Sequence, residues 1–358
     1  MSRKTFCELV KGDIPDYNEK ELWIFGAGMT AGLYGNGLQR LEEEGFVISG
    51  YIDNNKDKWG REFNGKTIVS FEDILKKKDK VFVLLCSYYS KVNRAIGKQL
   101  DDAGIPYSMI DNIVFKNHAD KLINVYDLLD DEESKNIYET LVTKRMTGDD
   151  SDLPVSLNEQ YFGLGHFISN NPNEVFLDCG SYVGDSLERY IWKNEGVFGK
   201  ILAFEPDEHN VKAMKYRIHR LSNEWGFDDS KIIIYEKGLS DSNSAAKIVR
   251  SDVNNGFSSN LVVGDDNTDG DVVRLDSLIT EPISFLKADI ESWEYKMLLG
   301  AKNTIEKYKP KMAICIYHNA ADFYEIALLI KSIVPEYKFA VRHHSTTLCE
   351  TVLYSWVD

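Results

Sequence analysis

Residues Val175–Ser186 read VFLDCGSYVGDS, an apolar run that ends in Asp178 and opens at once into a turn holding Gly180 and Gly184. This is the pattern of a strand feeding a ligand-binding loop. Glycine lacks the Cβ that keeps a cofactor away from the backbone, and the following DSLERYIWK predicts a helix whose N-terminal amides face the loop. ILAFEPD then places Glu205 at the end of another apolar run, 25 residues after Gly180. That distance holds one helix and one strand, so the carboxylate returns beside the loop, where its two oxygens suit the vicinal diol of a ribose. Charge-assisted hydrogen bonds of this kind contribute roughly 1.5–3 kcal/mol each, so two would dominate nucleoside orientation. A tight turn and a strand-end acid explain either feature separately; the two at this spacing favour a nucleoside site.

At 358 residues the chain is long enough for two domains, each with its own core. A net charge of -15 argues against nucleic acid or an anionic membrane as the main partner, and the densest basic run, KKKDK at 76–80, reads as a solvated helix end. The N-terminal MSRKTFCELVKGDIPD lacks the apolar core of a signal peptide, and no apolar run approaches the roughly 18 residues of a membrane span. The expectation is a cytoplasmic protein. Cys7, Cys86, Cys179, Cys315 and Cys349 are widely separated, with no CxxC and no histidine at zinc-finger spacing, and read as reduced core residues.

The front of the chain repeats the same grammar. ELWIFGAGMTAG is a strand followed by Gly26, Gly28 and Gly32, and VISGYID is a second strand ending in Asp53, 25 residues after Gly28. Later strands at 80–87 and 105–111, with helices at 71–77 and 91–103, complete a βαβαβ order. Gly26, Gly28 and Asp53 form a second candidate nucleotide site. The reading is α/β, with two Rossmann-like domains in series: residues 1–117, a helical connector over 118–165 in which DDEES caps the second helix, and residues 166–358. In YFGLGHFI, Tyr161, Phe162 and His166 either cover the cofactor loop or pack between domains, packing being the simpler role.

The rest of the second domain reads as KIIIYEKGLSD, a third strand, then a Ser- and Asn-rich stretch from Asp241 to Gly270 containing NNGFSSN, then the short strand VVRLDSLI. ISFLKADIESWEYKMLLGAKNTI is a strand, an acid cluster and a helix; PKMAICIYHN is a strand ending in His318; two strands close the chain. Alternating strands and helices ending in a hairpin are the order of a class I methyltransferase sheet of seven strands. Asp289, Glu291 and Glu294 follow a predicted central strand at its C-terminal end, the ligand crevice of an open α/β sheet. Glu291 and Glu294 can serve the next helix's dipole, but Asp289 ends a buried strand and needs a partner; Lys287 projects to the same side. Adjacent strands would bring His318 near Asp289, which suits removal of a hydroxyl proton, a satisfied core histidine being the alternative. Asp289, Glu291 and His318 could instead hold a divalent cation. His343 and His344 point to opposite faces, so at most one faces the crevice.

LDCGSYVGDS, AFEPDEHN, RLDSL and above all LKADIESWEYKMLLGAKNTI carry a resemblance to the FkbM family of S-adenosylmethionine-dependent O-methyltransferases, over about residues 156–358. The family's D-x-E-x-x-E and L-x-G-A stand as Asp289, Glu291, Glu294, Leu299, Gly300 and Ala301; where many relatives have glycine after the second acid, this chain has Ser292 and Trp293. The resemblance implies an S-adenosylmethionine site of Asp178, Gly180, Ser181, Gly184, Asp185, Ser186, Glu205, Pro206, Gly238 and Leu239, with the acid cluster bordering the acceptor. The leading reading is O-methylation of a sugar hydroxyl on a glycan or nucleotide-activated sugar; general-base chemistry at the crevice then favours His318 as base, Asp289 orienting it, and Glu291 or a cation binding the acceptor hydroxyls. The front domain resembles Rossmann-like modules found ahead of sugar-modifying enzymes. The alternative is an NAD(P)-dependent oxidoreductase or epimerase using the Gly26 loop. A homodimer is compatible with the sequence without being indicated by it.

Overall fold

The computed structural model describes residues 3–28, 31, 42, 45–250, 259–263 and 270–358. Gly32 and most of NNGFSSN fall outside them. The chain divides into two compact units, the first formed by Met1–Val155 with Tyr317–Tyr324 and Ser345–Thr351.

Short apolar runs bounded by turn residues make the six strands of the first unit: β1 (Glu21–Phe25), β2 (Ile48–Ile52), β3 (Glu62–Phe63), β4 (Lys66–Val69), β5 (Val81–Leu85) and β6 (Tyr107–Met109). The sheet order is β3-β4-β2-β1-β5-β6, parallel except for β3 against β4. Chain order reverses between β1 and β5, the switch point at which open α/β sheets bind ligands. The helices Phe71–Leu75 and Ser90–Ala103 cover the sheet, the first capped by Ser70, which accepts from the Asp73 amide. Trp23, Phe25, Ile52, Ile74, Val83, Leu85 and Leu100 form the core beneath them.

Asp131 begins the helix Glu132–Thr147 by accepting from the Ser134 amide at 2.7 Å, the cap expected from DDEES. This helix carries the fully buried Arg145, whose Nε donates to Asp111 at 2.6 Å and whose Nη1 donates to the Tyr317 carbonyl at 2.9 Å. Tyr88 donates to the carbonyls of Tyr317 and His318, and Tyr138 to that of Phe323. These side chains are why Tyr317–Tyr324 clusters with the first unit although it follows a strand of the second in sequence.

The second unit holds Ser156–Ile316, Glu325–His344 and Val352–Asp358. Its strands are β7 (Val175–Cys179), β8 (Lys200–Phe204), β9 (Ile232–Tyr235), β10 (Gly238–Leu239), β11 (Ser244–Arg250), β12 (Ser259–Val263), β13 (Gly270–Val273), β14 (Phe285–Ala288), β15 (Lys311–Cys315), β16 (Lys338–His343) and β17 (Thr351–Trp356). Seven of them form one sheet in the order β16-β17-β15-β14-β7-β8-β9, with β17 antiparallel to β15 and β7, β8, β9, β14 and β15 parallel. The two Rossmann-like domains and the seven-stranded sheet read from the sequence are both present.

Register brings the ends of the central strands level: Ala288 lies opposite Cys179 on β7 and Ile314 on β15. One face is filled by rings, with Phe176 stacked on Tyr190 at 4.2 Å and Phe162 edge-on to Phe285 at 5.9 Å. Described residues of the Ser- and Asn-rich stretch include two strands. The stretch contributes β11 and β12 to a second sheet, β10-β13-β11-β12, with Ala246, Val272 and Trp293 packed together.

Candidate active site

The loop after β7 is built from left-handed backbone. Gly180 and Gly184 have φ of +78° and +80°, and Tyr182 adopts +46°. A Cβ on Gly180 would stand 1.9 Å from the Asp289 carbonyl oxygen, so only glycine lets the loop meet the end of β14 this closely. The amides of Gly180 and Ser181 both donate to the Phe204 carbonyl at the end of β8, at 3.0 and 2.9 Å. Gly184 then caps the helix Asp185–Lys193, as its sequence predicts.

Glu205, one residue beyond β8, takes the Tyr182 amide at 3.0 Å on one oxygen, and the Asp207 amide at 2.9 Å and the Asn210 side chain at 3.1 Å on the other. The carboxylate therefore shapes the loop as well as standing beside it. Burial pushes it up to about 7, against the opposing pull of those three donors. Pro206 follows it, half-buried. Gly238 and Leu239 form β10 and pair with Val272 and Val273.

Asp178 is fully buried under the loop. Its carboxylate accepts from the Ser186 hydroxyl and lies 3.1 Å from the Lys287 ammonium on β14; the Ser181 hydroxyl donates to its carbonyl at 3.0 Å. Lys287 also donates to the Gly180 carbonyl at 2.7 Å. Burial would lower the Lys287 pKa, but the carboxylates of Asp178 and Asp289 outweigh it and hold the amine above its ordinary value. A buried ion pair of this geometry stabilises little against an apolar replacement, yet leaves a costly lone charge if halved. Its consequence here is to fix the loop's carbonyl and acid in one arrangement.

Asp289 follows β14, and its partner is Tyr161, whose hydroxyl donates to Oδ2 at 2.7 Å. The Lys287 ammonium lies 5.1 Å from the centre of the same ring. Tyr161 thus has a polar role in the site that sequence reasoning ranked below packing; its signal is a polar-tipped ring in an otherwise apolar aromatic run. Phe162 packs in the core against Phe176 and Tyr190, whereas His166 is exposed and lies against Phe167 and Trp356.

Glu291 and Ser292 occupy left-handed backbone at +55° and +75°. Glycine adopts that conformation with less strain than either residue. Glu294 is buried and accepts from the Ile290 amide at 2.7 Å, so it closes this turn at the start of the helix Glu294–Gly300.

His318 lies three residues beyond β15, fully buried within Tyr317–Tyr324, the segment that clusters with the first unit. His343 is buried at the end of β16. The ring nitrogens of His344 stand 3.1 Å from the Asn158 carbonyl and from the Tyr354 hydroxyl, and burial lowers its pKa to about 4. Cys179 is buried and its thiol is pushed well up by burial, which leaves little thiolate to act as a nucleophile.

In the first unit, Gly26 is left-handed at +100° and its amide donates to the Ile52 carbonyl. Asp53 accepts from the amides of Ala27 at 3.0 Å and Asn55 at 2.8 Å and pairs with Lys58 at 2.9 Å. Burial opposes its ionisation, but the Asn55 amide, Lys58 and the Ala27 amide together hold its pKa below the ordinary value. The acid that a dinucleotide ribose would use already binds the loop and a lysine.

A seven-stranded sheet of this order, with a glycine loop after its first strand and an acid ending its second, is the arrangement of the class I methyltransferase fold. Residues 178–340 match the family model described as the methyltransferase FkbM domain, and residues 18–110 match the one described as C2185-like, N-terminal. Over residues 178–340 the chain is thus similar to FkbM methyltransferase domains, behind a second Rossmann-like unit. Methyltransferase FkbM from Methylobacillus flagellatus KT aligns with 99% of this chain and 94% of its own, with a TM-score of 0.55 and 20% identity, a likeness of fold. An rRNA methylase from Streptococcus thermophilus aligns with 57% of this chain and 100% of its own at TM-score 0.35 and 13% identity. UDP-D-quinovosamine 4-dehydrogenase from Vibrio fischeri aligns with 27% and 84% at TM-score 0.21 and 24% identity. No curated protein matches the chain. Among the described residues, no helix is long and apolar enough to cross a membrane.

Proposed function

We propose that the protein is an S-adenosylmethionine-dependent O-methyltransferase acting on a sugar hydroxyl of a glycan or nucleotide-activated sugar. The observation that carries the reading is the Gly180–Gly184 loop fastened to Glu205, in a domain of the FkbM type. The bound donor supplies an electrophilic methyl on a sulfonium, for in-line displacement by the acceptor oxygen. Gly180, Ser181 and Gly184 shape the backbone against which the donor lies, and Glu205 presents carboxylate oxygens to the ribose diol. Asp178 and Lys287 hold the loop from beneath. Alignment of reacting groups in a site closed to water supplies about 7–11 kcal/mol, and a positioned base adds about 10²–10⁴ in rate.

Asp289, held by Tyr161, and Glu291 stand beyond β14, and His318 beyond the neighbouring β15. In this reading Asp289 and Glu291 serve the acceptor side. No step calls on a divalent cation. The front unit is proposed to bind the nucleotide end of the acceptor or a partner chain.

Incubation with methyl-tritiated S-adenosylmethionine and a panel of nucleotide sugars and oligosaccharides tests the reading. Alkali-stable label in a sugar product is expected. Label found only in base-labile esters or in amines would overturn the assignment.

A further inference from the structure

Glu205 is the acid on which the donor site turns, and its capacity to accept hydrogen bonds can be counted. An ionised carboxylate has about four lone-pair positions, two on each oxygen. One oxygen of Glu205 accepts from the Asp207 amide at 2.9 Å and from the Asn210 side chain at 3.1 Å, and the other from the Tyr182 amide at 3.0 Å. Among the described residues three positions are thus taken, and the one left is on the oxygen that holds Tyr182. At 5% exposure, Glu205 has little open surface on which a ligand could bypass these donors.

A ribose offers two vicinal hydroxyls, and both can reach the carboxylate only if a donor gives way. The three donors are not equally fixed. The Tyr182 amide belongs to a loop whose Gly180 and Ser181 amides are pinned to the Phe204 carbonyl. The Asp207 amide is backbone at the N-cap of the helix Glu208–Trp225, where the Asp207 side chain accepts from the His209 amide at 2.8 Å. Asn210 contributes a side chain, half-buried in the first turn of that helix, and a side chain can change rotamer where the two backbone amides cannot.

We infer that Asn210 sets how many ribose hydroxyls Glu205 holds: with Asn210 in place the carboxylate accepts one hydroxyl of the donor's ribose, and the other stays with water. The position of the acid in sequence would assign one hydroxyl to each oxygen. The hydrogen bonds around it leave room for one. This inference rests on the donor-site reading above and narrows it, and it makes Asn210, five residues beyond the acid, a specificity-determining residue for the nucleoside.

The test is calorimetric affinity for S-adenosylhomocysteine and its 2′-deoxy and 3′-deoxy analogues, measured on wild type and Asn210→Ala. Titration is done well above the value of about 7 to which burial raises Glu205, so that the carboxylate is ionised. Loss of one hydrogen bond to a charged group weakens binding about ten- to hundredfold. In wild type one deoxy analogue is expected to lose that factor and the other to bind like the parent. In Asn210→Ala the freed position takes the second hydroxyl, so both analogues should fall below the parent, which binds no more weakly than it does to wild type. An Asn210 that only supports the fold would weaken all three ligands together and leave their ratios unchanged, and that result overturns the inference. Equal losses, or no loss, for the two analogues in wild type also overturn it while leaving the donor site standing. That comparison needs no variant, so it decides the matter even if Asn210→Ala fails to fold. No binding of the parent to wild type removes the donor-site reading and the inference with it.

Discussion

Replacing Gly180 by alanine separates a loop that is merely glycine-rich from one that needs glycine at this position. At φ +78° an L-residue costs roughly 1–2 kcal/mol. The new Cβ would lie 1.9 Å from the Asp289 carbonyl oxygen and 2.9 Å from its carbon. Both are backbone atoms, and the Asp289 amide is itself fastened to the Cys179 carbonyl at 3.0 Å, so relief requires the ends of β7 and β14 to part. Overpacking of this kind adds about 1–3 kcal/mol, for a total of about 2–5 kcal/mol. In a domain of about 200 residues that lowers the melting temperature by roughly 5–20 °C. Gly184→Ala is the matched control. It has the same backbone sign, but its Cβ meets the Met214 Cγ at 2.9 Å, a side-chain atom and not the backbone, so a smaller loss than at Gly180 is expected. Thermal unfolding with S-adenosylhomocysteine calorimetry reads both quantities. A Gly180→Ala protein that melts with Gly184→Ala and binds the ligand like wild type would refute the reasoning.

Lys287→Met should destabilise the second unit by about 3–5 kcal/mol, because it leaves Asp178 buried without its cation, and adding Asp178→Asn should recover part of that in denaturant unfolding. Glu205, raised to about 7 from an ordinary 4.5, retains in the folded protein a proton that the unfolded chain has released. Its contribution to stability therefore falls as pH rises through that window, by about 3 kcal/mol in all, and Glu205→Gln should flatten the slope. His344, lowered to about 4 from 6.5, has the opposite sign: the unfolded chain binds a proton that the folded one refuses, so stability falls as pH drops from 6.5 to 4. Urea unfolding of His344→Gln across that range should show the acid-side loss reduced.

The glycine loops, the strand-end acids and the seven-stranded order were legible because strand period, turn chemistry and element spacing are local. Asp178 and Lys287 could be placed on adjoining parts of the site, but their pairing needed the β7–β14 register. The role of Glu205 was half visible: a strand-end acid near the loop, without the Tyr182 and Asp207 amides it binds. The second sheet was missed because β11 and β12 flank a polar stretch, and their pairing, Ile248 opposite Leu261, is non-local. Tyr161 was read as packing because an aromatic run conceals which ring carries its hydroxyl to an acid. Nothing in the periodicity announces that Tyr317–Tyr324 would be held by Tyr88, Tyr138 and Arg145, some 170 to 230 residues earlier in the chain.

Isothermal titration of wild type, Glu205→Ala and Asp53→Ala with S-adenosylhomocysteine bears most directly on the central claim. The account predicts binding in wild type and in Asp53→Ala, whose loss loosens the Ala27 amide and Lys58 in the first unit, and no measurable binding in a folded Glu205→Ala. Absence of binding in wild type, or its loss only in Asp53→Ala, would contradict a methyl-donor site on the loop after β7.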